Sequence, residues 1–293
     1  MTEQNTTAAA SRQPRVYPPK PEAVYLLGTC LVDSFYPEAG MDAIALLQHA
    51  GIEVIFPQSQ SCCGQPAYNS GYDEQARAVA RTQLQAFAAD IPVVVMMGSC
   101  AGMVHKEYPK LFAGQPEEAA AIALAARSYE FSEFMVNVLQ LEQQLAQAED
   151  QSPLTVALHT SCSARRGMGV AAEHKALVEN LPGVQVVEPE RVAECCGFGG
   201  TFAVKQSDIS AAMAADKASA IAATGCQRLV SGDCGCLMNI GGTLDKLQGE
   251  KQGPAIPVQH LASLLYTRLN GGDGSQISQK RSQQYNKKSG DKA

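Results

Sequence analysis

Several familiar patterns are missing from this 293-residue sequence, and each absence closes off a class of protein. No apolar run approaches the roughly 18 residues that a bilayer-spanning helix requires. The opening stretch MTEQNTTAAASRQPRVYPPKPE has no apolar core of the kind a secretory signal carries, so a cytoplasmic chain is expected. No P-loop, G-x-G-x-x-G, Ser/His/Asp set or pair of catalytic carboxylates stands out. The GFGG at 197–200 has no strand–turn–helix frame, which argues against a nicotinamide site. Charge is sparse: 23 Lys and Arg against 29 Asp and Glu leave −6, so a nucleic-acid partner is not expected.

Cysteine, by contrast, is abundant. The ten thiols fall at 30, 62, 63, 100, 162, 195, 196, 226, 234 and 236. In a reducing compartment, metal binding or redox chemistry accounts for them better than disulfides do. Two of the sites, SCCGQP and ECCGFGG, place thiols side by side. Neighbours make a poor disulfide, because the small ring they would close strains the intervening peptide. The spacing repeats: 32 residues from Cys30 to its pair and 37 onward to Cys100, then 33 from Cys162 to its pair. The next step is 38 to Cys234 or 40 to Cys236, and the likeness of GSCAGM to CGCLMN favours Cys236. One unit of about 130 residues is written twice. The candidate ligands are therefore Cys30, Cys62, Cys63, Cys100, Cys162, Cys195, Cys196 and Cys236, with Cys234 an open ninth. Cys226, outside the repeat, reads as a core thiol.

Each unit alternates strands and helices. AVYLLG, IEVIFP and PVVVMMG read as strands in the first, and LTVALHTSC, GVQVVEP and QRLVSGD in the second. PEAGMDAIALLQHAG, DEQARAVARTQLQAFAAD and SDISAAMAADKASAIAATG have helical spacing. The expected fold is α/β: two duplicated Rossmann-like units related by a pseudo-twofold, with the cysteines on loops at strand ends, where such folds place their sites. The expected organisation is a disordered N-terminus over 1–21, a first repeat over 22–127, a linking helix over 128–152, a second repeat over 153–270 and a disordered basic tail over 271–293. That tail carries five Lys and Arg against two Asp, a local +3.

Core packing alone would not repeat thiols in register beside glycines. Zinc usually takes C-x₂₋₄-C knuckles, and none is present. Adjacent thiolates suit a polynuclear iron–sulfur cluster, whose several irons accept neighbouring sulfurs. The glycines after each pair (Gly64, Gly197, Gly199 and Gly200) let backbone N–H groups approach those sulfurs. A structural or regulatory metal-binding module is the alternative from another class. Beside Cys162, the cationic groups of His159, Arg165 and Arg166 either tune a cluster and dock a partner or serve as caps and surface charge. His105 and Tyr108 read as packing groups, and His49, His174 and His260 as helix residues.

Cys-x₃₁-Cys-Cys-Gly-x₃₅-Cys, read twice with small changes of spacing, resembles the cysteine-rich CCG domain. That domain occurs in the B subunit of heterodisulfide reductase and in the iron–sulfur subunits of glycolate oxidase and of lactate utilisation. The two-repeat chain without ferredoxin-type motifs is most similar to the last of these. So are GTCLVDSFYPEAG, FPQSQSCCGQPAYNSG, GSCAGM and CCGFGGTFAVK, and the likeness runs over roughly residues 22–270. The resemblance implies an iron–sulfur, electron-transferring subunit of a cytoplasmic complex that oxidises L-lactate to pyruvate. Its partners would be other subunits, including a ferredoxin-type iron–sulfur protein. A heterodisulfide or quinone-linked reductase or a glycolate oxidase-type subunit is the alternative. One departure matters. Where the fullest motif ends in Cys-x-x-Cys, this chain has Met103 and Asn239, which argues against a five-thiolate cluster and against disulfide reduction. Four thiolates per half remain, enough for one or two [4Fe–4S] clusters. With no residue set for taking hydride or proton from a hydroxy acid, the chain alone is not expected to oxidise lactate.

Overall fold

The short apolar runs and the amphipathic stretches between them fold into two parallel sheets in the computed structural model, which describes residues 15–251 and 255–271. The first sheet contains β1 (Ala23–Leu27), β2 (Glu53–Ile55), β3 (Val93–Val95) and β4 (Ser128–Glu130), in the order β2-β1-β3-β4. The second contains β5 (Leu154–His159), β6 (Val184–Val187), β7 (Arg228–Ser231) and β8 (Val258–His260), in the order β6-β5-β7-β8. Every strand pair is parallel. Parallel strands are joined by crossover helices that cover both faces, so the central strands read as continuous apolar runs. Val93, Val94 and Val95 are accordingly buried throughout.

In each half the chain leaves the first strand in one direction for the second and returns on the other side for the third. The carboxyl edge beside that reversal is where open α/β sheets form their crevice. The two halves obey the same register there: Leu27, the last residue of β1, lies opposite Val95, and His159, the last of β5, opposite Ser231.

Two expectations are corrected. The segment expected as one linking helix over 128–152 opens as β4, continues as the helix Phe131–Asn137 and ends in two short 3-10 turns. Its start is claimed by the edge of β3, and Glu130 then caps the helix through the N–H groups of Ser132 and Glu133. Residues 15–21, expected within a disordered N-terminus, are placed against the first half. Arg15 donates to Glu133 at 2.9 Å and to the carbonyls of Ala126 and Ser128 at 2.8 Å, with its guanidinium 4.0 Å above the Tyr129 ring. A planar cation with several donors suits such a site. Residues 1–14 and the basic tail from 272 onward lie outside the described residues. Among the described residues no helix is long and apolar enough to cross a membrane.

The halves meet beside the cysteines. The helix Gly98–Gly102 of the first half packs on the π-helical turn Ser163–Met168 of the second. Buried Asp233 fastens the joint: it accepts from the Ser99 N–H at 2.9 Å, the Ser99 hydroxyl at 2.8 Å and the Ser161 hydroxyl at 2.8 Å. Burial raises its pKa against the pull of those donors.

Candidate metal centres

All eight repeat cysteines stand at the carboxyl ends of strands. Cys62, Cys63, Cys195 and Cys196 lie on loops after β2 and β6. Cys30 opens the helix Cys30–Phe35, and Cys100 and Cys236 sit in the first turns of the helices Gly98–Gly102 and Cys234–Lys251. The expected loop placement thus holds for the pairs, whereas these three thiols and Cys162, which caps the turn Ser163–Met168, belong to helix starts. The sulfurs converge within each half. In the first, Cys30 Sγ lies 3.9 Å from Cys62 Sγ, and Cys63 Sγ lies 3.3 Å from Cys100 Sγ. In the second, Cys196 and Cys236 sulfurs are 3.1 Å apart, and Cys162 hydrogen-bonds Cys195. All ten cysteines are free thiols.

The glycine after each pair has the same task in both halves. Gly64 (φ 84°) and Gly197 (φ 81°) adopt the left-handed region and donate their N–H to Cys62 and Cys195 sulfurs at 3.4 Å. A Cβ at Gly64 would fall 3.1 Å from the Ala76 carbonyl, and one at Gly197 2.7 Å from that of Ser210. Only glycine combines this conformation with that close approach. Donation from the Cys30 thiol, helped by Cys63 and the Gly64 N–H, pulls the Cys62 pKa down to about 2. Cys162, Cys196 and Gly197 bring Cys195 to about 2 in the same way. These contacts favour the thiolate at one cysteine per half, and thiolate is the ligand form.

Each half also braces its pair by the carbonyl of the second cysteine. The Tyr108 hydroxyl donates to Cys63 O at 2.9 Å, and Asn239 Nδ2 donates to Cys196 O at 2.8 Å. Tyr108, expected as packing, is buried and also holds the loop. Asn239, at the place of the absent cysteine, holds a carbonyl, while Met103 is buried in the core. Neither half has a fifth thiol in that position. Converging thiols, backbone N–H groups aimed at sulfur and fixed loops together fit an iron–sulfur group.

Gln83 and Lys217 were not anticipated. They occupy matching places on the helices Asp73–Ala86 and Ser207–Ala222, the residue seven positions after the one that abuts the pair's glycine. Gln83 donates to the Cys62 carbonyl at 3.1 Å. Lys217, fully buried, donates to the Arg191 and Val192 carbonyls at 3.2 and 3.1 Å, ahead of Cys195. A lysine among the alanines of ADKASAIAA was the available signal.

His159 does not act as a cation: burial, then the charge of Lys217, pushes its pKa down to about 3. Arg166 is exposed and donates to the Ala193 carbonyl at 2.8 Å, and Arg165 is half-buried. His105 meets the Ala125 carbonyl at 2.8 Å, as a packing group would. His174 sits 3.2 Å from buried Glu130. His260 closes β8 rather than lying within a helix, and its Nδ1 accepts from the Ala262 N–H at 3.1 Å. Cys226 is buried in the core of the second half, and Cys234 is fully buried where the halves meet, near both Cys100 and Cys236.

Two parallel α/β units, each gathering four thiols at the carboxyl edge of its sheet, define a duplicated cysteine-rich protein built around paired thiol sets. The chain belongs to the cysteine-rich (CCG) domain family, whose pattern matches residues 24–105 and 156–241. It is 42% identical over 246 residues to lactate utilization protein A of Geobacillus sp. (strain WCH70), covering 84% of this chain and 99% of that one. It is 40% identical over 248 residues to lactate utilization protein A 2 of Bacillus cereus (strain AH820), with the same coverage. Among solved structures, a hypothetical protein from Helicobacter pylori superposes with a TM-score of 0.62 at 11% identity, over 90% of this chain and 52% of that one, a likeness of fold.

Proposed function

We propose that this chain is an electron-transfer subunit of a lactate-oxidising complex, holding a [4Fe–4S] cluster in each half. The observation that carries the reading is the doubled sulfur set: four thiols, with a left-handed glycine donating to the first sulfur of the pair, recur at the same edge of both sheets. The curated relatives, similar over most of the chain, carry lactate utilization in their names. Bound clusters would take up and release single electrons. The protein's own residues hold and tune them: Cys30, Cys62, Cys63 and Cys100 in one half, and Cys162, Cys195, Cys196 and Cys236 in the other. Cys30 and Cys162 are the exposed members, so electrons have a short way in and out on that side. Substrate chemistry belongs to cytoplasmic partner subunits, one of them a ferredoxin-type iron–sulfur protein, because two electrons and two protons leave lactate and this chain offers no group to take them as a pair.

Anaerobic purification should yield a brown protein with iron and acid-labile sulfide in equal amounts. Cys196→Ser should lose the iron of the second half, and Cys226→Ser should lose none. Lactate-dependent dye reduction should require the partner subunits. Zinc without sulfide would point instead to a structural module, and lactate turnover by the isolated chain would overturn the division of labour.

A further inference from the structure

The two centres differ beneath the sulfurs. Aligning Cys30 with Cys162 places Leu27 of β1 at the position of His159 of β5, each the last residue of its strand. Leu27 is a buried core residue. His159 is buried equally, at 2% exposed, yet among the described residues neither ring nitrogen has a hydrogen-bond partner. A buried imidazole without partners is costly and calls for an occupant. Its surroundings identify one: a ring nitrogen, Cys196 Sγ and Cys236 Sγ all lie within 4.8 Å of one another. A nitrogen and two sulfurs this close together form a donor set for a transition metal.

We propose that the second centre is a mixed thiolate–imidazole site, in which His159 binds iron alongside Cys196 and Cys236, while the first centre is bound by thiolates alone. The proposal rests on the cluster-binding function above. His159 would add a fifth donor to the four thiols of that half. Two further replacements change the charge around the second centre. Arg165 stands where the first half has Asp33, three residues after the leading cysteine, and buried Lys217 stands where it has Gln83. The added positive charge favours the reduced cluster, so the second centre has the higher potential, and electrons arriving at the first settle on the second.

Pulsed electron paramagnetic resonance on the reduced full chain, grown with ¹⁴N- or ¹⁵N-histidine, tests this directly. The expected result is a nitrogen coupling of the size of a directly bound imidazole, altered by the isotope and lost in His159→Leu. In a redox titration, His159→Leu should shift one wave and leave the other in place. Weak nitrogen coupling, of the kind a hydrogen bond gives, or coupling that survives His159→Leu, overturns the ligand assignment while the clusters stand. Absence of iron and sulfide overturns the cluster reading and this inference together. The isotope comparison on the unsubstituted chain decides the matter even where the variant fails to fold.

Discussion

Replacing Gly98 by alanine should push the two halves apart at the joint between the centres. Gly98 begins the short helix that carries Cys100. A Cβ there would lie 2.6 Å from Ala164 Cβ, 3.0 Å from Ala164 Cα and 3.1 Å from Ala164 N. Carbon atoms rest about 3.5–4.0 Å apart, so the surfaces would have to separate by about 1 Å. The obstruction is backbone and Cβ, with no rotamer to swing away. Overpacking of this kind costs about 1–3 kcal/mol. Gly102, four residues along the same helix, supplies the control: its added Cβ would meet only Ser163 Cβ, at an ordinary 3.9 Å. Gly102→Ala should therefore be neutral or stabilising by up to about 1 kcal/mol through helix propensity. Urea unfolding of both variants measures the difference. Iron release from the first half should quicken in Gly98→Ala, since Ser99 and Cys100 move with it. A Gly98→Ala midpoint equal to the parent's, or an equal loss in Gly102→Ala, would refute the close joint.

Two other perturbations follow from buried polar groups. Burial pushes His260 down to about 4 from an ordinary 6.5. The unfolded chain therefore binds the extra proton first, and about 3 kcal/mol of stability is lost as pH falls from 6.5 through 4. His260→Asn keeps a cap acceptor for the Ala262 N–H and should remove that loss; urea midpoints at pH 7 and 4 that fall in parallel for parent and variant would count against it. Lys217→Met strips the Arg191 and Val192 carbonyls of their donor, so a loss of about 1–3 kcal/mol and faster iron release from the second half are expected. Lys217→Gln, copying Gln83, should recover part of both, as unfolding and chelator-release rates would register.

The duplicated α/β plan and the grouping of the thiols were legible in the sequence for a chemical reason. Cysteine spacing survives as a pattern even where apolar spacing is weak, and parallel sheets gather all strand ends on one edge. The fourth strands were not legible. Ser128–Glu130 and Val258–His260 are three residues each, mostly polar, and continuous with the helices they enter, so the helical signal absorbed them. Arg15 was invisible because its partners lie more than a hundred residues away. His159 was noticed for its chemistry and misjudged for its charge, because burial against Lys217 is a tertiary fact.

The divergence of Leu27 from His159 also bears on how such a protein arises. A symmetric homodimer of single repeats must carry the same residue at both centres, since a twofold axis repeats every side chain. Joining the copies in one polypeptide lifts that constraint, and Asp33 against Arg165 and Gln83 against Lys217 record its removal. Once fused, the copies are free to diverge: a chain built of two first repeats would carry Leu27 at both centres and, on the ligand assignment proposed above, have no imidazole at either.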